Sequence, residues 1–300
     1  MYPWEQWVHN GKLGFNFMID RQLSADASLA PAPAGLHTLL MPSSNTSTKN
    51  VLNDFFEWFG DLGIFFWRVV RAAASPPFEF RELFRQLDEI GSKSLPLVAL
   101  AGGAIGVVLS LQSRQSLTRF GAKSLLPAAI VFSIIHEIGP IITALVVAGR
   151  VGAGIGAELA SMKVTEQVDA IEASAVNPYR LLAAPRILAC ILMLPLLTLA
   201  ADLCGLVMGW VAQALVEPLS LHQFITSGFK GTGFTDFLPP TFKTAVFGLI
   251  IGLIACFQGM RTEGGAAGVG RAATSSVVLS SLLLIMADVV LVKIIIIFFP

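Results

Sequence analysis

The sequence predicts an all-α integral membrane protein, with N-terminal interfacial helices, five transmembrane helices and a charged cytoplasmic helix between the second and third. Three observations carry that prediction. Of the 300 residues 54% are hydrophobic and only 13% charged, and the mean hydropathy is +0.72, far more apolar than a soluble domain with a polar surface. The apolar residues gather in runs near 20 long, which at about 1.5 Å per residue match a hydrocarbon core of about 30 Å. Lys and Arg collect at the ends of those runs, mostly on one side. Net charge is zero, and no basic cluster is interleaved with surface aromatics, so nothing points to a nucleic-acid partner. Cys190, Cys204 and Cys256 lie inside apolar segments without CxxC spacing or nearby histidines, which suits small packing residues rather than disulfides or a metal site.

Residues 1–50 ("SADASLAPAPAG", "MPSSNTSTKN") are rich in Ser, Ala, Pro, Asn and Thr and keep no period, the pattern of a disordered tail. The start, "MYPWEQWVHNGKLGFNF", has neither the layout of a secretory signal nor the Arg-rich composition of a transit peptide. A solvated tail and a short docking segment built on Trp4, Trp7, Phe15 and Phe17 both fit. Residues 51–94 read as interfacial or elbow helices. "VLNDFFEWFGDLGIFFWRVVRAAA" holds too many charges to span but has the Trp and Phe that suit the headgroup boundary, and Pro76 and Pro77 end it. "FEFRELFRQLDEIGSK" spaces Phe80, Leu83, Phe84, Leu87 and Ile90 three and four apart, one apolar stripe on a second interfacial helix.

Residues 95–300 hold the spans, at 95–112, 124–149, 186–212, about 241–260 and 276–299. Arg68, Arg71, Arg81, Arg85, Lys93, Arg150, Lys163, Arg180, Arg186, Arg261 and Arg271 flank one side; Arg114, Arg119, Lys123, Lys230 and Lys243 flank the other. The positive-inside rule therefore predicts a cytoplasmic N-terminus and an external C-terminus. Gly102 and Gly106, and the run Gly149, Gly152, Ala153, Gly156, Ala157 and Ala160, are surfaces for close helix approach, within one chain or between two copies.

Between the second and third spans, "MKVTEQVDAIEASAVNPYRLLAAPRI" mixes charges with Val164, Val168, Ile171 and Ala175 on one helical face, and Pro178 then breaks the helix. Either a solvated loop helix or a helix that docks on a soluble motor has this shape. Nothing in the chain can hydrolyse a nucleotide: no GxxxxGK[ST] loop and no Ser/His/Asp constellation occurs. Energy for any active transport must come from another subunit.

His136 and Glu137 sit within an otherwise apolar run, where ionisable groups are expensive and face a bundle interior or a wet cavity. Either a cargo-pocket role or an internal hydrogen-bonded pair accounts for them. Asp202, Asp288 and Lys293 are weaker signals and receive no role; Asp288 and Lys293 are five apart, awkward for one helical face.

The block "HEIGPIITALVVAGRVGAGIGAELASMKVTEQVDAIEASAVNPYRLLAAPRILA", with "LSLQSRQSLTRFGA" before it and "GRAATSSVVLSSLLLIMADVVL" after it, resembles the MlaE (YrbE-like) family of ABC transporter permeases, over residues 51–300. The resemblance implies a homodimeric permease subunit in lipid traffic, bound from the cytoplasm by an ABC ATPase dimer that carries the ATP and Mg. It also implies a hexameric ring of Mce-domain proteins on the outer side, in some systems a STAS-domain protein, and phospholipid held between the two permeases. It implies a bacterial inner membrane, ahead of a plastid inner envelope, and no cofactor in this chain. By position, "KVTEQVDAIEASAVNP" matches the coupling element, so Lys163, Glu166, Gln167, Asp169 and Glu172 become candidates for ATPase contact. Leu109, Leu117 and Phe120 match cavity-lining sites, with Ser116 where an aliphatic residue is usual, and His136, Glu137 and Ile138 fall near the lipid pocket. The family usually reads "RELGP" where this chain has "HEIGP"; a histidine can be neutral at pH 7 where arginine is not. The rival functions are an ion-coupled secondary transporter, which would need a carboxylate path and inverted repeats, and a nonenzymatic membrane scaffold.

Overall fold

The computed structural model describes residues 48–74, 79–230 and 234–298, and every regular element among them is helical. The helices are α1 (Thr48–Ala73), α2 (Phe80–Arg119), α3 (Lys123–Val164), α4 (Gln167–Ala173), α5 (Tyr179–Ala214), α6 (Leu221–Gly228), α7 (Phe234–Met260) and α8 (Gly265–Phe298). Five are long and apolar enough to cross a membrane: α2, α3, α5, α7 from Leu238, and α8. The all-α class and the span count agree with the sequence. The chain parts near Trp58, and the packing below belongs to the unit that begins at Phe59. The expected tail, with its aromatics, and Pro76–Pro77 lie outside the described residues; the helix itself opens at Thr48 rather than 51.

Several expectations about boundaries change. The stretch 80–94 is not a separate elbow: it is the first part of α2, which runs unbroken through Pro96 for 40 residues. A proline removes one hydrogen bond and crowds the carbonyl four residues back. Here Ile90, Ser94, Val98, Gly102 and Gly103 on both sides of Pro96 are buried, and that packing holds the helix together across it. α5 starts at Tyr179, seven residues before the expected span, α3 continues past 149 to Val164, and α8 opens at Gly265, eleven residues before 276.

α1 buries Leu62, Phe65, Val69 and Ala72, spaced three and four apart, and leaves Ile64, Phe66, Trp67 and Val70 exposed. One face grips the protein and the other carries large aromatics outward, as an interfacial helix requires. The Phe65 ring meets Tyr179 at 5.6 Å and Phe257 at 5.5 Å, both edge-on, and Asp61 pairs with Arg261 at 2.6 Å.

Small residues bring the spans together. Gly102 and Gly106 of α2 lie against the backbone of Ala201 and Gly205 of α5, and Gly209 returns the contact to Gly106 O, its Cβ position lying 3.3 Å from that oxygen. Side chains there would push the helices apart. Gly156 of α3 faces Ser276 and Ala272 of α8. The stripes read from sequence as open to either use are therefore occupied within one chain at Gly102, Gly106 and Gly156, while Gly149 and Gly154 face open space.

α3 contains two π-helical turns, Ile134–Ile138 and Ala148–Gly152, and α5 begins with a third, Tyr179–Ala183. Pro140 and Pro185 each crowd the carbonyl four residues earlier, within the first and third of these turns, and one extra residue in the turn relieves that clash. The Gly139 N–H accordingly donates five residues back, to Ile134 O.

Candidate functional site

Glu137 projects from the first π-helical turn of α3, and its Oε2 accepts a hydrogen bond from Lys243 Nζ of α7 at 3.1 Å. Lys243 also lies 3.1 Å from Asp288 Oδ1 of α8. Its side chain is 2% exposed, against 44% for Glu137 and 17% for Asp288. One ammonium is thus held by carboxylates from two other spans, a set with a formal charge of −1. A buried ion survives only with such partners.

This corrects two readings. Lys243 is not a flanking charge at the membrane edge; the apolar residues on both sides of it in "TFKTAVF" are the signal that could have placed it inside. Arg186 is also buried, 1% exposed, with Nη2 donating to Glu158 at 2.8 Å and Nη1 to Leu182 O at 2.8 Å. Without these two, the charge bias stands at ten against four and keeps its direction. Asp288 is not an idle charge either, and its partner is on another helix rather than at Lys293, which is exposed.

His136 stacks on Phe132 of its own helix, ring centroids 4.1 Å apart and planes 30° apart. Behind it, Leu126, Ile130, Val131, Ile134 and Ile135 form an apolar cluster with Phe224 of α6, and Leu109 and Leu117 of α2 pack against that cluster. Ile138 borders a narrow crevice between α2, α3 and α5 with Gly102, Ile105, Ile142 and Ala201. Phe120 is not gathered with them: just past α2, it is 83% exposed. The buried Asp202 of α5 packs on Gly139 so closely that a Cβ there would strike its carboxylate.

A separate apolar cavity of about 410 Å³ lies between α7 and α8, walled by Leu238, Phe242, Val246, Leu291 and Ile294, with Lys243 at its edge.

The candidate coupling residues form one exposed knuckle. Lys163 Nζ pairs with Asp169 Oδ1 at 2.6 Å, across the turn from α3 into α4. Glu166 in that turn has φ 58°, and Ala175 just after α4 has φ 60°. Left-handed backbone at a residue with a Cβ costs about 1–2 kcal/mol, so α4 is held between two strained joints. Val168 is buried and anchors it, while Glu166, Gln167, Asp169 and Glu172 face outward. Beside it runs a groove of about 400 Å³ bordered by Asp61, Arg68, Glu172, Tyr179 and Arg261, where Arg68 Nη1 donates to Tyr179 Oη at 3.3 Å.

Long apolar helices whose ionisable groups are gathered between them define a polytopic membrane protein. Residues 83–294 match the family model described as Permease MlaE, and the chain belongs to that family. It is 37% identical over 250 residues to a probable ABC transporter permease protein of Rickettsia typhi, covering 83% of this chain and 96% of the relative. A probable ABC transporter permease protein of Synechocystis is 34% identical over 208 residues, 69% of this chain and 79% of that one. The Arabidopsis thaliana protein TRIGALACTOSYLDIACYLGLYCEROL 1, chloroplastic, is 33% identical over 224 residues, 75% of this chain and 64% of that one.

Proposed function

We propose that this chain is the permease subunit of an ATP-driven ABC transporter that moves phospholipid between membranes of a bacterial envelope. It acts as a homodimer with the lipid held between the copies. An ABC ATPase dimer docks at the knuckle of Glu166, Gln167, Asp169 and Glu172, with Lys163 bracing Asp169. An Mce-domain ring receives or supplies lipid on the outer side, and a STAS-domain protein attends the ATPases. ATP and Mg belong to the partner.

The observation that carries this reading is the Glu137–Lys243–Asp288 set, which ties α3, α7 and α8 together inside the membrane beside an apolar cavity. An ion triad at a π-helical turn is costly to keep for packing alone, and its acceptors sit on two different spans. His136 and Glu137 then mark the polar end of the cargo space, with Leu109 and Leu117 behind it and Phe120 and Ile138 at its margins. Apolar walls discriminate weakly per methylene, so acyl length is read loosely.

The test is purification of the assembled complex followed by ATP-dependent transfer of a fluorescent phospholipid between vesicles. An associated ATPase, and transfer lost in E137Q with assembly intact, are expected. A complex without an ATPase, or transfer that proceeds without ATP, overturns the reading.

A further inference from the structure

At the end of the bundle opposite α4, a cavity of about 210 Å³ opens where α2 ends, α3 begins and the connection from α5 to α6 crosses. Arg114, Lys123, Gln213 and Glu217 line it. Glu217 Oε1 accepts from Arg114 Nη2 at 2.7 Å and from Lys123 Nζ at 3.0 Å, one carboxylate between two cations. The pair of cations holds the Glu217 carboxyl below its ordinary value, the Lys123 hydrogen bond foremost. The set is left with a net positive charge.

Two buried polar atoms in the same cavity lack hydrogen-bond partners among the described residues: Arg114 Nη1, a donor, and Gln213 Oε1, an acceptor. Gln213 is only 6% exposed. Buried polar atoms of this kind need a partner, and none of the described residues supplies one. A ligand that brings an anionic oxygen and an N–H or O–H donor together satisfies both at once. The space is on the order of seven waters at about 30 Å³ each, the size of a phosphoethanolamine group. Leu126, which belongs to the apolar cluster, also lines it, so the polar cavity continues into an apolar wall.

We propose that this cavity binds the headgroup of a phospholipid that carries a hydrogen-bond donor beside its phosphate, of the phosphatidylethanolamine kind. The phosphate meets Arg114 Nη1 and Lys123; the ammonium donates to Gln213 Oε1. The proposal rests on the lipid-permease reading and adds to it a headgroup site separate from the polar end at His136 and Glu137, with a preference of its own. A choline headgroup has no N–H to give and leaves Gln213 Oε1 unmatched.

The assembled complex is loaded with equal phosphatidylethanolamine, phosphatidylcholine and diacylglycerol, and retained lipid is counted by native mass spectrometry. Wild type is expected to keep ethanolamine lipid over choline lipid, and either over diacylglycerol, by about tenfold per missing charged or buried hydrogen bond. R114M is expected to lose the preference for phospholipid over diacylglycerol. Q213L is expected to keep that preference and lose the distinction between ethanolamine and choline. A variant that is merely destabilised loses all three lipids alike, which would overturn the proposal, as would unchanged preferences in both variants. R114K, which keeps charge but not the planar fork, is expected to fall between, and serves if R114M does not assemble. Inorganic phosphate in excess is expected to leave the lipid in place; displacement that depends on Arg114 reassigns the cavity to a free anion and overturns the lipid assignment. Wild-type complex that moves no fluorescent phospholipid under ATP defeats the permease reading itself, whereas active transfer with unchanged preferences defeats only the headgroup site.

Discussion

Arg186 and Lys243 are both nearly sealed inside the bundle, yet they are held differently. Arg186 spends one nitrogen on the carbonyl of Leu182 in its own helix and another on Glu158, so the planar fork is locked to the backbone. Lys243 is a point charge with three rotatable donors, and the two carboxylates it meets are side chains from two other spans, at equal 3.1 Å separations. Equal burial thus hides a difference in kind: the first cation fixes one helix end, and the second joins three spans through contacts that can be exchanged. In a protein whose work requires spans to move, the second arrangement is the one that can take part.

That contrast breaks most readily at its rigid half. R186M leaves the Leu182 carbonyl without its donor and Glu158, half exposed, to water, and is expected to cost about 1–3 kcal/mol through the lost charged hydrogen bonds. Membrane yield and thermal unfolding of the purified chain should show the loss, and wild-type stability would erase the distinction. K243M is expected to assemble but to slow ATP-dependent lipid transfer on the order of 100-fold, because the two acids that Lys243 joins lose their common partner. K243M that fails to assemble would make both cations rivets. A third substitution extends the comparison to the exposed knuckle. E166K with E172K is expected to leave the permease folded and to weaken ATPase association about tenfold, since those carboxylates face outward and exposed charges act mainly on docking; co-elution at rising salt measures it. The smallest effect belongs to Glu217, a surface acid that contrasts with both buried sites. Its carboxyl lies below the ordinary value of 4.5 in the fold, so its contribution is fully present above that value and is lost as pH falls through the lower, folded one. The wild-type melting curve should fall more steeply than that of E217Q below about pH 4.5; parallel curves would mean that the cations do not favour the charged form.

Much of this was legible in the sequence because the membrane imposes length and composition. The span count, the two-faced α1 and the exposed acids of α4 all follow from period and charge. The stripe at Gly102 and Gly106 announced close approach, but spacing does not say which helix arrives, and Ala201 and Gly205 of the same chain do. Glu137 was conspicuous. Its partner was not, since Lys243 is 106 residues away and a lysine near a span end resembles a flank until the third dimension closes around it. The boundary at 94/95 was misplaced for a related reason: a charged amphipathic stretch beside an apolar run reads as a helix of its own, and only packing on both sides of Pro96 shows α2 to be whole. The polar cavity at Arg114 and Gln213 left no motif, because four residues from three parts of the chain make it.

The unbroken α2 has a mechanical consequence. At about 1.5 Å per residue its 40 residues reach about 60 Å, twice the hydrocarbon thickness of about 30 Å. Glu82 and Arg85 stand near one tip and Arg114 near the other. Such a rod is a lever rather than a strut: pivoting about its middle, a tilt of about 10° sweeps each tip through on the order of 5 Å, the width of a headgroup. A nudge delivered at the Glu82 end can therefore widen or pinch the polar cavity at the Arg114 end with no intervening relay of side chains.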